Sequence, residues 1–219
     1  MKIGIIGTGN MGVALGTRWA RSGHEVLFGS RDPGKAKAAA ARASSSAQSG
    51  DFDAAAAFGD LVLYTVRGVL PSALLRNPGL LAGKIVVDCN NTDMTSDARP
   101  IDPNPGGPTL VELLAGDIPR ARVVKAFTSI PHRVIELERG ILLPARVAAL
   151  ICSNDADAKS VVTKLAEELG FAAVDCGPLE YSRTVDGATD FLRFQIAKMG
   201  LGVFATLSLN VLRPPDSAT

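Results

Sequence analysis

A doubly wound α/β fold, built on a parallel sheet with helices on both faces, is the architecture this sequence predicts. Short continuous runs rich in Val, Ile and Leu alternate with helical patterns along the chain, as strands covered on both faces require. The first run leads directly into a glycine-rich turn, Gly7-Thr8-Gly9-Asn10-Met11-Gly12, which opens a helical pattern. The chain is also large enough for one big domain or a domain with a small appendage. It has 219 residues, 47% hydrophobic and 21% charged, which suffices for a real core.

Strands are expected at residues 2–6, 25–29, 61–66, 84–88, 122–126, 147–152 and 172–176. A further strand belongs near residues 43–50, yet "ASSSAQSG" has a loop composition and allows at most a short edge strand. The first helix runs from about Asn10 to Ser22 and ends before Gly23. "AKAAAARASSS" reads as a surface helix running into a loop, and residues 99–109, "RPIDPNPGGPT", as a Pro/Gly-rich loop. Over residues 155–169, Ala158, Val161, Val162, Leu165 and Leu169 share one helical stripe, with Asn154 as the expected N-cap and Gly170 as the stop. The expected division is a dinucleotide-binding domain at 1–129 and a C-terminal α/β segment at 130–219.

Residues 191–212, "FLRFQIAKMGLGVFATLSLNVL", are apolar over a length that can cross a bilayer. Arg193, Gln195 and Lys198 lie inside it, and a cation at the centre of a span costs roughly 2.5–3.5 kcal/mol. A buried interface helix is the expectation, and with it a homodimer. A net charge of +1 without a basic run argues against a nucleic-acid partner. Cys89, Cys152 and Cys176 make an odd set with no metal-like spacing, each after an apolar run. They read as buried thiols in a reducing compartment. The N-terminus has no signal-peptide pattern, because Gly7 to Gly12 interrupts the apolar run. The expectation is a cytoplasmic protein with neither membrane segment nor metal site.

A GxGxxG motif alone is weak, but here it follows a predicted strand and opens a predicted helix, the setting of a Rossmann-type dinucleotide site. Gly7 permits the tight turn, Gly9 lets the backbone approach a pyrophosphate, and Gly12 lets helix and strand pack closely. The helix N-terminus then faces the phosphates, and Gly16 keeps the helix near the sheet. NAD-selective sites place Asp or Glu about 20 residues beyond the motif, on the ribose hydroxyls. This chain has Gly29-Ser30-Arg31 there, followed by Lys35. A hydroxyl and two cations suit a 2′-phosphate, and Asp32 falls beyond the strand end. The predicted cofactor is NADP(H).

The chain resembles the deazaflavin-dependent NADP oxidoreductases, which use coenzyme F420. The resemblance rests on "GTGNMG", "GHEVLFGSRDPGKA", "VVKAFTSIP" and "CSNDADAKSVVTKLAEELGFAAVDCGPL". It implies that Thr8, Gly9, Asn10 and Met11 wrap the diphosphate while Ser30, Arg31 and Lys35 hold the 2′-phosphate. It further implies that Thr65-Val66-Arg67-Gly68, Asn90-Asn91 and Ser129-Ile130-Pro131-His132 line the nicotinamide. The chain departs from its relatives at three points. Arg67 stands where a proline is common, Asn90-Asn91 stands where an Asn-Pro pair is common, and Thr128 stands where "KAF" commonly continues with Asn. These positions border the acceptor, which stays open between F420 and an ordinary flavin.

Hydride transfer between a nicotinamide and a deazaflavin stacks two rings and obliges no general acid or base, so no catalytic side chain is assigned. Tyr181 is followed four residues later by Val185, not lysine, which removes the short-chain dehydrogenase pattern. Lys198 is loosely similar in setting to the catalytic lysine helix of β-hydroxyacid dehydrogenases, but the flanks do not match. It reads as a surface or interface lysine. His24 fits a helix–strand turn. His132 either starts a helix or bonds a carbonyl of the acceptor ring. Tyr181, Arg183 and Asp190 follow a strand end and are open between substrate contact and solvated surface. Phe191, Phe194 and Phe204 fit core or interface, and Gly200 and Gly202 a close helix contact or kink. Two other readings stand beside the flavin-linked reductase: an NADPH-dependent imine or carbonyl reductase, and a non-catalytic NADP-binding sensor.

Overall fold

Strand formation follows the apolar runs closely. The computed structural model describes residues 1–101 and 104–212, so part of the 99–109 loop and the end of the C-terminal segment lie outside the described residues. Its strands are β1 (Lys2–Ile6), β2 (Glu25–Gly29), β3 (Gln48–Gly50), β4 (Leu61–Tyr64), β5 (Ile85–Asp88), β6 (Asp93–Met94), β7 (Pro100–Ile101), β8 (Arg122–Lys125), β9 (Ala148–Ser153) and β10 (Ala172–Asp175). Its helices are α1 (Asn10–Arg21), α2 (Pro33–Ala43), α3 (Phe52–Phe58), α4 (Pro71–Leu74), α5 (Leu110–Asp117), α6 (His132–Ile135), α7 (Arg139–Ala145), α8 (Ala156–Leu169) and α9 (Ser182–Ala197).

The main sheet runs in the order β10-β9-β8-β5-β4-β1-β2-β3. Its pairs are parallel except β8 with β9, which is antiparallel. Strand order therefore reverses between β1 and β4, the switch point where open α/β sheets bind ligands. The short β6–β7 pair is separate and antiparallel. β3 is the three-residue edge strand that the Ser-rich stretch allowed.

Alternation along each strand fills two cores. Ile3, Ile5, Leu61, Leu63 and Val87 face α1 and α8, together with Leu15, Trp19 and Leu165. Ile6, Val62, Tyr64 and Val86 face the other way, with Ala55, Leu114 and Val123. Gly16 earns its position in α1, because a Cβ there would lie 2.5 Å from the Phe28 ring. His24 sits in the turn before β2, and its Nε2 lies 2.9 Å from Glu168 Oε2 on α8.

Two expectations are corrected. Asn154 is not the cap of α8. Asp155 holds that position, its Oδ1 accepting the Ala158 N–H at 2.8 Å, while the Asn154 side chain accepts from the Leu179 N–H. The backbone turns one residue later because Ser153 still belongs to β9. Residues 191–212 are not one buried helix either. α9 ends at Ala197, Gly200 and Gly202 take positive φ, and Met199, Leu201, Val203 and Phe204 are exposed. The chain then runs back beside β9, where the Ala148 N–H donates to Leu207 O. Among the described residues no helix is long and apolar enough to cross a membrane. Cys89 and Cys152 are buried and Cys176 is partly buried, all as free thiols.

Asp155 also forms a two-pronged ion pair with Arg122, at 2.7 and 2.8 Å. That guanidinium holds its carboxyl well below the usual carboxylate range. Asp155→Ala should cost about 1 kcal/mol, the ordinary loss of an N-cap, since a half-exposed pair adds little. The folded-state pKa lies below the unfolded value near ~3.9, so the contribution is complete above that value and fades as pH falls below it. Denaturant titrations of both proteins between pH 7 and 3 should show the gap narrowing only in acid.

Candidate functional site

The site begins where β1 ends. Gly7 has φ +109°, and a Cβ there would stand 2.3 Å from Thr65 Oγ1, so only glycine makes this turn. Its N–H donates to Gly29 O, and the Thr65 hydroxyl donates to Ile6 O at 3.0 Å. One turn into α1, a Cβ on Gly12 would meet Gly7 O at 2.2 Å. Gly9 differs from both. It is the N-cap of α1 with ordinary extended backbone, and among the described residues no side chain caps the helix and no atom beyond its chain neighbours lies within 4 Å of where its Cβ would be. The first-turn N–H groups of a twelve-residue helix therefore face open space.

That space is a cleft of about 570 Å³ bordered by Gly7, Thr8 and Gly9 on one side and Ser30, Arg31 and Lys35 on another. Ser30 is buried, donating its N–H to Gly50 O and accepting the Asp32 N–H on Oγ at 3.2 Å. Asp32 caps α2, accepting the N–H groups of Gly34 and Lys35 on Oδ1. The nearest carboxylate is thus committed to the helix, whereas Arg31 and Lys35 are exposed and make no ion pair among the described residues. Two unpaired cations beside a buried hydroxyl and a helix N-terminus fit a dinucleotide carrying a phosphate on its ribose.

Beyond Val66 and Val69 the cleft adjoins a second cavity of about 340 Å³, walled by Leu110 and Leu113 and reaching Gly68 and Asn90. The Asn90 side chain donates to Tyr64 O and Asp88 Oδ1, joining the ends of β4 and β5. Asn91 Nδ2 donates to Thr128 O, joining β5 to β8. Arg67 pairs with Asp93 of β6 at 2.6 Å.

Beneath these turns lies a buried ion cluster that sequence reasoning missed. Lys125 is 1% exposed, 2.8 Å from Asp186 on α9 and 3.9 Å from Asp88, and it donates to Asn90 O at 3.3 Å. Burial pushes the Asp88 carboxyl up while Lys125 opposes the shift. The signal was a single charge closing each of two apolar runs, "IVVD" and "RVVK".

The structure gathers Gly7, Thr8, Gly9, Ser30, Arg31, Lys35, Val66 and Arg67 around the cleft, and Gly68 and Asn90 around the adjoining cavity. Asn10, Met11 and Gly12 form the first turn of α1, and Thr65 braces Gly7 from below. Ile130 is a core residue at 2% exposure, Pro131 is the N-cap of α6, and His132 opens that helix. Arg183 and Asp190 border a smaller cavity of about 200 Å³ with Asp186. Tyr181, Phe191, Phe194 and Phe204 are exposed, and Lys198 lies 3.8 Å from Asp97.

Residues 2–92 match the family described as NADP oxidoreductase, coenzyme F420-dependent. The F420-dependent NADP reductase of Methanocaldococcus jannaschii is 31% identical over 208 residues, covering 88% of this chain and 91% of that protein. The metalloreductase STEAP3 of Rattus norvegicus is 32% identical over 185 residues, 84% of this chain but 36% of its own length. A crystal structure from Arthrobacter sp. FB24, provisionally assigned as an F420-dependent NADP-reductase, superposes with a TM-score of 0.76 at 26% identity, covering 96% of this chain and 100% of that one. The imine reductase of Streptomyces aurantiacus, at 17% identity and TM-score 0.57, shares the fold over 91% of this chain and 61% of its own.

The three glycines separate by experiment. Gly12→Ala should lose about 1–3 kcal/mol, the usual cost of overpacking, whereas Gly9→Ala should melt within about 0.5 kcal/mol of wild type. Gly9→Val should likewise fold, yet its side chain enters the cleft and should weaken dinucleotide binding in a fluorescence titration.

Proposed function

This chain belongs to the coenzyme F420-dependent NADP oxidoreductase family, and on that premise we propose that it passes hydride between NADP(H) and a deazaflavin, or a flavin of like shape. The observation that carries the cofactor choice is the end of β2. Ser30, Arg31 and Lys35 surround open space there, while Asp32 is occupied in capping α2. An acidic residue poised for ribose hydroxyls would favour NAD; two uncommitted cations favour the 2′-phosphate.

Bound NADP(H) would supply hydride chemistry at its nicotinamide, exchanging hydride with the ring of the second coenzyme. The chain's own share is to bind, orient and exclude water. Gly7 to Gly12 and the start of α1 hold the diphosphate. The turns bearing Thr65, Val66, Arg67 and Gly68, and Asn90 and Asn91, form the wall beside the nicotinamide, with Ile130, Pro131 and His132 behind it. The adjoining cavity, apolar at Val66, Val69, Leu110 and Leu113 with Asn90 as a polar group, has the character of a site for a planar ring.

Residues 1–129 carry the dinucleotide in this reading, and residues 130–219 complete the second-coenzyme side. Phe191, Phe194, Met199, Leu201 and Phe204 are exposed on α9 and the segment after it, a surface suited to a second copy of the chain. Three free thiols fit a reducing, cytoplasmic setting.

Arg31→Ala should weaken NADPH binding about tenfold or more, as loss of a charge-assisted contact does, and leave NADH binding nearly unchanged in calorimetry. Equal weakening of both would remove the 2′-phosphate assignment. For the reaction, purified protein is mixed with NADPH and oxidised F420, FMN or FAD, and NADPH absorbance is followed. Loss of absorbance with F420 is expected. No turnover with any of the three, under conditions where NADPH binds, would reject the proposal.

A further inference from the structure

Two of the three free thiols stand opposite each other at the outer edge of the sheet. β9 and β10 run parallel with Ile151 opposite Asp175, so the next step of the ladder pairs Cys152 with Cys176. The Cys176 N–H donates to Ile151 O at 2.8 Å, the bond that sets this pairing. Both side chains lie on one face, in the apolar layer that holds Val123 and Leu179. Cys152 Sγ is 3.7 Å from Cys176 O. Paired strands lie about 4.8 Å apart, within the roughly 4.4–6.8 Å that a disulfide spans between its Cα atoms.

The two thiols differ in access and in character. Cys152 is fully buried, whereas Cys176 is partly exposed at the end of the outermost strand. A hydrogen bond from the Cys152 thiol draws Cys176 below the usual thiol range against the effect of burial, and the same contact pushes Cys152 up. Lys159 stands beside Cys176, its Nζ 2.7 Å from Asp175 Oδ1 and 3.0 Å from Gly177 O, the residues on either side. A neighbouring cation favours the thiolate, which is the nucleophile. Cys89 contrasts with this pair, being 3% exposed and pushed up by burial and by Asp88. Neither Cys152 nor Cys176 borders the cofactor cleft or its adjoining cavity.

We propose that Cys176 and Cys152 form a second reactive site, a dithiol that exchanges with low-molecular-weight disulfides and closes into a bridge between β9 and β10. The Cys176 thiolate attacks one sulfur of the incoming disulfide, whose S–S bond breaks. One small thiolate leaves, and Cys176 carries the other half as a mixed disulfide. Cys152, directly behind, gives its proton to the departed thiolate and attacks Cys176 Sγ, and the second small thiol leaves. Two protein thiols are oxidised and one small disulfide is reduced to two thiols. Cys176 meets the solvent, and Cys152 needs access only to Cys176. The site is independent of the NADP(H) reading.

The test counts thiols in the native full-length protein, reduced, freed of reductant and treated with glutathione disulfide. Wild type should go from three thiols to one and carry no glutathione. Its monomer band on a non-reducing gel should yield a Cys152 peptide linked to a Cys176 peptide, and dithiothreitol should restore all three thiols. Cys152→Ser should stop at the first step and retain one glutathione on Cys176. Cys176→Ser should keep both remaining thiols and take up none. Unchanged thiols in wild type, a lasting glutathione adduct without the link, or a link to Cys89 or between chains would each overturn the proposal. A Cys152→Ser protein with native circular dichroism and no adduct would overturn the attack by Cys176. The wild-type readouts need no variant, so they stand even where a substitution in this layer prevents folding.

Discussion

The rest of the site depends on how closely α1 approaches the end of β1. Gly7 turns through a region closed to side chains, and Gly12 brings the helix within reach of the Gly7 carbonyl. With any larger residue at either position the helix would stand off. The first-turn N–H groups would then no longer face the space that Ser30 and Arg31 border from β2. Thr65 makes the arrangement rigid by bonding to the carbonyls of both Ile6 and Gly7. One contact thus sets the positions of three strand ends at the sheet's switch point.

A second constraint acts from beneath. An almost fully buried lysine is costly unless paired, and Lys125 meets that requirement with carboxylates from two different elements. The closer of them, Asp186, belongs to α9, so the same cation that steadies the Asn90 carbonyl also fixes the last helix against the sheet. Removing either carboxylate would leave the charge under-compensated. The position of α9, and hence the smaller cavity bordered by Asp186 and Asp190, is tied electrostatically to the turns of the cofactor cleft.

Much of this was legible in the residues, for physical reasons that differ by element. The strands could be read because a sheet buried on both faces needs unbroken Val/Ile/Leu runs, and the glycine-rich turn because Gly7 and Gly12 meet steric demands no other residue meets. The weak third strand was rightly read as at most an edge, since β3 is three residues long and mostly exposed. The cap of α8 was missed by one position because Asn154 and Asp155 are both good caps, and they are distinguished only by distant partners, Leu179 for Asn154 and Arg122 for Asp155. The end of α9 was missed because an apolar run reads as buried helix when nothing in it says that Gly200 and Gly202 take positive φ. The Lys125 cluster could not be assembled at all. Its members are separated by more than thirty residues and are neighbours only through the order of the sheet.

The antiparallel joint between β8 and β9 has a consequence for how the molecule can be cut. It extends the first six strands by two more in one continuous hydrogen-bonded layer, so a truncation after residue 147 would uncover the flank of β8. That flank would then present unpaired backbone groups along a strand of Val123 and Val124, the kind of margin through which proteins associate irreversibly. Shuffling the C-terminal third between relatives would for the same reason need the donor's β9 to match β8 in register, with Val124 opposite Ser153 and Lys125 opposite Cys152.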